Sequence, residues 1–337
     1  MYLFILRKKE GVKDMKDKFN IHTDLAVENK ERFQGDDTEI SGVKVYEKLD
    51  ERYGVKLTKV EITSPKGANI MGKPMGKYVT IETTDIGYKE YDLSKKKQLG
   101  KVLARELFYM LPVKKKEEIK ELSVLVVGLG NKDVTPDSLG PYVVANLEVT
   151  RHIFMLKNNY SKSKGISAML PGVMAQSGME SAEMVEGIVK QIKPDVVICI
   201  DALAAGSTKR LSSTIQLADT GINPGAGIGN HRKGINRANL GIPVIAIGIP
   251  TVIHAATIVS DTMDEIIKVI SQLPNMKGEG CFETLKSFSD NEKHKLVREL
   301  LEPNILDMFV TPKDIDESIR FMSETLAYGI NLIFSLS

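Results

Sequence analysis

Three solid apolar runs do most to limit what this chain can fold into: Ser123-Val124-Leu125-Val126-Val127, Asp195-Val196-Val197-Ile198-Cys199-Ile200 and Pro243-Val244-Ile245-Ala246-Ile247. Strands written as unbroken apolar runs are buried on both faces, which is the condition of a parallel sheet covered by helices. Around them the apolar spacing becomes helical, with Val185, Ile188, Val189 and Ile192 on one face and Val259, Met263, Ile266, Ile267 and Ile270 on another. This alternation predicts an α/β fold with a largely parallel central sheet and helices on both sides, its core within residues 120–275.

The flanking regions have a different texture. Residues 1 to about 38 mix Lys and Glu with no sustained apolar period and read as an arm, within which Met15 is an alternative start. Gly42 to Glu47, Val55 to Ile62 and Tyr78 to Thr83 are strand-like and separated by turn residues, so 41–84 reads as a small N-terminal β subregion. Leu99, Val102, Leu103, Leu107 and Met110 line one side of a helix that runs up to Pro112. The chain closes in a helical part, 290–337, with helices near 291–302 and 312–333, the second opening with Thr311 as a cap and Pro312 in its first turn.

Composition removes several classes of function. The 46 Lys plus Arg against 44 Asp plus Glu leave little net charge to attract nucleic acid or an anionic membrane, so direct binding to either is not expected. The first six residues are apolar but too few to span a bilayer, and Arg7-Lys8-Lys9 follows them where a signal peptide would place its charges first; a cytoplasmic location is expected. Cys199, inside an apolar run, and Cys281 match no metal or redox spacing.

In an open parallel sheet, ligands bind beyond the carboxyl ends of the strands, where loops and helix N-termini converge. The loops expected there are Gly128 to Pro141, Asp201 to Ala205 and Gly248 to His254. Gly128-x-Gly130 lacks the third glycine of a dinucleotide fingerprint, and its glycines also read as a sharp turn off the strand. Asp137 reads either as a cap for a helix starting at Ser138 or as a functional acid. Asp201 follows an apolar run and precedes Ala-Leu-Ala-Ala, so its carboxylate lies at the edge of the core, where burial is costly unless it is paired or shares a proton. Two such carboxylates sharing one proton can serve as base toward water and acid toward a carbonyl. With His231 and His254 they could alternatively ligate a metal. No Gly-x-Ser-x-Gly elbow occurs, and neither cysteine has an evident base beside it.

Several long strings resemble the germination proteases of spore-forming bacteria: Val126 to Asn131, Val134-Thr135-Pro136-Asp137, Leu139-Gly140-Pro141, Pro171-Gly172-Val173-Met174, Ile200 to Ala205, Asp219 to Ile222 with Gly229-Asn230, and Gly241 to Val252. The resemblance implies a three-layer αβα fold similar to hydrogenase-maturation peptidases. It implies an atypical aspartic-type endopeptidase that digests small acid-soluble spore proteins on germination, resides in the forespore and spore core, and assembles as a homotetramer; no cofactor is expected, though whether the aspartates act through an ion is left open. Its two catalytic aspartates map onto Asp137 and Asp201. It also implies an inactive zymogen that removes its own N-terminal segment.

Family substrates are cut after an acidic residue and before a bulky apolar one, with Ala next and Glu further on; Thr23-Asp24-Leu25-Ala26-Val27-Glu28 is similar. Self-cleavage is therefore expected between Asp24 and Leu25, dividing the chain into a propeptide, 1–24, and a catalytic domain, 25–337. Lys209, Arg210, Arg232 and Lys233 are candidate cations for the acidic side chains of a substrate. His254 stands where the family pattern leads one to expect Asp and is a further candidate for the cleft. The competing readings are a metal-dependent peptidase or maturation factor on the same fold, and a nucleotide-binding or scaffold protein without hydrolytic action.

Overall fold

The computed structural model describes residues 23–31, 41–83, 92–157, 164–224, 233–271 and 308–334. Its strands are β1 (Val43–Asp50), β2 (Val55–Ile62), β3 (Gly76–Thr83), β4 (Ser123–Leu129), β5 (Gly165–Gly172), β6 (Val196–Ala205), β7 (Thr214–Ala218), β8 (Val244–His254) and β9 (Phe309–Val310). They join in one nine-stranded sheet ordered β1-β2-β3-β7-β8-β6-β4-β5, with β9 against the end of β8. The helices are α1 (Ala26–Glu31), α2 (Pro65–Met71), α3 (Leu93–Phe108), α4 (Leu139–Ala145), α5 (Arg151–Lys157), α6 (Met174–Ser177), α7 (Ser181–Ile192), α8 (Arg237–Leu240), α9 (Ala255–Ser271) and α10 (Ile315–Phe334).

The expectation of a largely parallel sheet holds only for the β5-β4-β6-β8 half. The other half is antiparallel, so the sheet is mixed. The stretch expected to be a separate β subregion forms the meander β1-β2-β3, and β3 pairs antiparallel with β7, Tyr78 opposite Ala218 and Ile81 opposite Ile215. This fusion has a packing cause. Val79 and Ile81 of β3, Ile215 and Leu217 of β7, and Ile198 and Ile200 of β6 point to the same side and share one core with Leu103 and Leu107 of α3 and Met322 and Leu326 of α10. Separating the meander would expose that apolar face to water.

Local signals set the helix bounds. Asp92 caps α3 by accepting from the backbone amides of Ser94 and Lys95, at 2.8 and 3.2 Å. Ile315, Ile319, Met322, Leu326 and Ile330 form the buried stripe of α10, at helical spacing. The opening expected at Thr311-Pro312 is corrected: α10 starts at Ile315, and the Thr311 hydroxyl instead donates to the Thr251 carbonyl at 2.9 Å. The side chain is spent on tying β9 to β8. The helix expected near 291–302 lies outside the described residues, as do Cys281 and most of the arm.

Opposite the main core, α7 packs Val185 and Val189 against Leu125, Val127, Val197 and Cys199. Further across the same face, Ala26 of α1 sits on Val60, Ile62, Met71, Tyr78 and Ala218. The candidate site lies on this face, between α7 and α1.

Candidate functional site

Strand register places the key polar groups in line. Asp201 of β6 is opposite Gly248 of β8, which is opposite Gln216 of β7, so the three residues point to the same face. With strands about 4.8 Å apart, the Cα atoms of Asp201 and Gln216 are separated by roughly 10 Å. Gly248 contributes no side chain, and that space is taken by Leu203: a Cβ on Gly248 would fall 2.5 Å from Leu203 Cγ.

Asp201 is therefore inside a strand, not beyond its end as the sequence suggests. β6 continues through Ala205 and β8 through His254, because Ala202 to Ala205 keep pairing with Ile249 to Ile253. A register shift after Leu203 accommodates Pro250. Asp201 is buried, 8% exposed, and its Oδ1 accepts from the Ala202 amide at 3.0 Å. Burial, followed by the charges of Asp137 and Asp24, pushes its carboxyl well above the usual carboxylate range.

Asp137 reaches the site from the loop after β4. Gly130 adopts φ +101°, and a Cβ there would lie 2.0 Å from the Asp137 carbonyl oxygen; a Cβ on Gly128 would lie 2.5 Å from the Gly140 carbonyl oxygen. These glycines let the loop fold onto itself, as a turn reading requires. Asp137 does not cap α4. Its Oδ2 accepts from the Asn131 amide at 2.8 Å, while the Thr251 hydroxyl donates to the Pro136 carbonyl at 2.7 Å and fastens the loop to β8.

Residues Thr23 to Glu28 occupy the crevice beside this pair. The Asp24 amide donates to the Ala204 carbonyl at 3.2 Å, and the Ala204 amide donates to Asp24 Oδ2 at 2.9 Å. The Asp24 carbonyl accepts from Lys73 Nζ at 3.0 Å and from Gln216 Nε2 at 2.8 Å. Across the next peptide unit, the Ala26 amide donates to Gln216 Oε1 at 2.6 Å. Leu25 and Val27 are fully buried against Leu203. Glu28 Oε2 accepts from the Gly206 amide at 2.8 Å and from the Thr23 hydroxyl, and its Oε1 lies 3.7 Å from the Arg210 guanidinium. Gly206 allows this close approach, since a Cβ there would lie 2.7 Å from Glu28 Oε2. Each residue from Asp24 to Glu28 thus meets its own partner or pocket.

The candidate cations scatter. Buried Arg210 bridges Glu28 and Glu82, the latter at 2.8 Å. Lys209 is exposed in the adjoining turn, Lys233 pairs with Glu186 of α7 at 2.6 Å, and Arg232 lies outside the described residues, as does His231. His254 packs its ring on Phe309, centroids 4.0 Å apart. Among the described residues, no group of three or more His, Cys, Asp and Glu is gathered to hold a metal ion. Nor is any described helix long and apolar enough to cross a membrane.

Sequence pattern does not single out Lys73 or Gln216. Lys73 reads as part of an exposed Gly-Lys-Pro turn. It is in fact held by the end of α2, where Gly72 takes φ +59° and the Lys73 amide donates to the Ala68 carbonyl at 3.2 Å. Burial of its ammonium lowers the Lys73 pKa, against the opposing pull of Asp24 and Glu28. Gln216 did leave a signal: a lone amide between Ile215 and Leu217 in a buried strand needs polar partners.

A stability test follows from Asp201. Its raised pKa means that ionised Asp201 destabilises the fold above the folded-state pKa, and the penalty disappears once pH falls below the ordinary carboxylate value, where folded and unfolded forms are both protonated. Asp201→Asn should therefore melt higher than the full-length wild-type chain at pH 8, by on the order of 2 °C per kcal/mol relieved. The gap should close on acidification. A calorimetric series with a gap that does not shrink with pH contradicts the burial of this charge.

Fold and site together define an α/β protein with an acidic centre in a crevice that holds a peptide segment of its own chain. The germination protease family model matches residues 21–277 and 270–335. Curated germination proteases are similar over most of the chain: that of Caldanaerobacter subterraneus subsp. tengcongensis is 43% identical over 314 residues, covering 93% of each chain. That of Clostridium perfringens is 42% identical over 318 residues, covering 93% of this chain and 95% of the relative. That of Bacillus velezensis is 41% identical over 348 residues, covering 93% of each. The chain belongs to the germination protease family and is a proteolytic hydrolase.

Proposed function

We propose that this chain is a self-processing zymogen of an aspartic-type endopeptidase, with Asp137 and Asp201 as a coupled acid and base, which cuts its own Asp24–Leu25 bond and then digests small acid-soluble spore proteins after acidic residues. The observation that carries this reading is the seating of Thr23 to Glu28 in the crevice, with the charges of Asp137 and Asp24 both acting on buried Asp201. Water attacks the Asp24 carbonyl carbon as one carboxylate takes its proton. The proton held by the pair goes to the leaving Leu25 nitrogen, the C–N bond breaks, and one water is consumed. Residues 1–24 are the propeptide in this reading and 25–337 the catalytic domain. A three-layer arrangement like that of hydrogenase-maturation peptidases, a homotetramer and a forespore and spore-core location belong to the same proposal.

Conversion should depend on pH in a direction set by Asp201. At pH well above its raised pKa both carboxylates are ionised and no shared proton is available; lowering pH toward that pKa supplies it. Mild acidification of the purified full chain should therefore remove residues 1–24, as read by intact mass, at a rate that rises as pH falls and is unchanged by a chelator. Loss of conversion on chelation, with return on adding one equivalent of a divalent ion, would establish the metal-dependent alternative.

A further inference from the structure

The Asp24 carbonyl oxygen accepts from two side-chain donors that come from parts of the chain far apart in sequence, Lys73 and Gln216. Gln216 also accepts from the Ala26 amide, so its one amide group spans the Asp24–Leu25 peptide bond from both sides. Asp201 faces the same side of the sheet, in register two strands away. Leu203 fills the space over Gly248 that separates Gln216 from Asp201, and Leu25, the residue after the bond, packs on that side chain.

We infer that Lys73 and Gln216 are catalytic residues forming a cationic oxyanion site for the carbonyl of the residue before the cleaved bond, an inference that rests on the proposed cleavage at Asp24. When water oxygen bonds to the carbonyl carbon, the electron pair of the C=O bond moves onto the Asp24 oxygen. The Lys73 ammonium and the Gln216 amide hydrogen-bond that oxygen while it carries the charge, and release it when the C–N bond to Leu25 breaks and C=O reforms. Fixed donors aimed at a developing oxyanion commonly contribute about 100-fold or more each to rate. The centre then has two halves, a carboxylate pair handling protons and a donor pair handling charge. Spore-protein substrates would have to present their own carbonyl to the same two donors.

The test uses the full chain, following conversion to the Leu25 form by intact mass and docking of the segment by hydrogen exchange at the Ala26 and Val27 amides. Lys73→Met should slow conversion by about 100-fold while those amides keep wild-type protection, because the Gln216 and Ala204 contacts remain. Lys73→Arg should recover part of the rate. Gln216→Glu keeps the acceptor for Ala26 and loses the donor for Asp24, so it too should convert slowly with its protection intact. The inference is overturned if Lys73→Met converts within a few-fold of wild type, or if rate and protection fall together, which would make Lys73 a docking residue only. If wild type itself is not cut after Asp24, the cleavage assignment fails before any variant is compared.

Discussion

Asp201→Asn and Asp137→Asn, made singly, should give folded chains that no longer convert to the form beginning at Leu25. Acid–base catalysis by a positioned side chain is worth about 10²–10⁴ in rate, so conversion that is complete in wild type should be undetectable over the same period. Asn preserves the shape and one carbonyl oxygen of Asp but can neither take nor give the proton. The two variants should fail for one reason and differ in another. Asp201 is buried and its neutral replacement relieves an electrostatic cost, whereas Asp137 is half-buried and holds the loop through the Asn131 amide. Either variant that still matures, and still digests a spore-protein substrate, at near wild-type rate would remove that residue from the chemistry.

Glu28→Ala should prevent self-cleavage although it lies four residues from the bond. The Glu28 carboxylate receives the Gly206 amide and the Thr23 hydroxyl and faces Arg210, itself only 9% exposed. Arg210 keeps Glu82 at 2.8 Å, so what is lost is a buried charged acceptor and its hydrogen bonds, typically about 1.5–3 kcal/mol each. Here much of that cost falls on docking, because an undocked segment lets water reach Arg210 and Gly206. If docking is the limiting equilibrium, the rate of conversion falls by about 10²–10³, since each 1.4 kcal/mol is tenfold. Glu28→Gln keeps acceptors for Gly206 and Thr23 and should lose less. Hydrogen exchange at Ala26 and Val27 provides the check: wild-type protection in Glu28→Ala, with wild-type conversion, would show that the segment is held without this carboxylate.

The two variants probe different levels of the molecule, and the levels differ in how visible they are in the chain. The strands β4, β6 and β8 are legible because a buried strand must be apolar throughout, and an aspartate at the edge of such a run is conspicuous. Their true ends are not legible. Ala202 to Ala205 and Ile249 to His254 read as loops because alanine and proline lower strand propensity, yet each segment is held by the other's hydrogen bonds. β5 and β7 are not legible either, β5 because it is only partly buried and mixes Gly, Ser and Pro with its apolar residues, β7 because it is short and interrupted by Gln216. Arg210 stands out in the sequence only as a cation in the stretch after Asp201; that it meets both Glu28 and Glu82 follows from tertiary packing. Lys233, alike in sequence character, is drawn to Glu186 by a loop that packs on α7.

What the amino-acid order by itself determined is the α/β class and the buried strands, with Asp201 conspicuous at the end of one apolar run, because periodicity and burial act on neighbours a few residues apart; the acidic-apolar segment at Asp24 stood out only through the resemblance to germination proteases. What only tertiary structure decided is that the N-terminal meander completes one mixed sheet, that Asp201, Gly248 and Gln216 stand in line, and that Lys73 reaches the Asp24 carbonyl. Those outcomes depend on strand order and register, which are settled by how large apolar faces meet across the whole chain, and no local stretch of sequence carries that information.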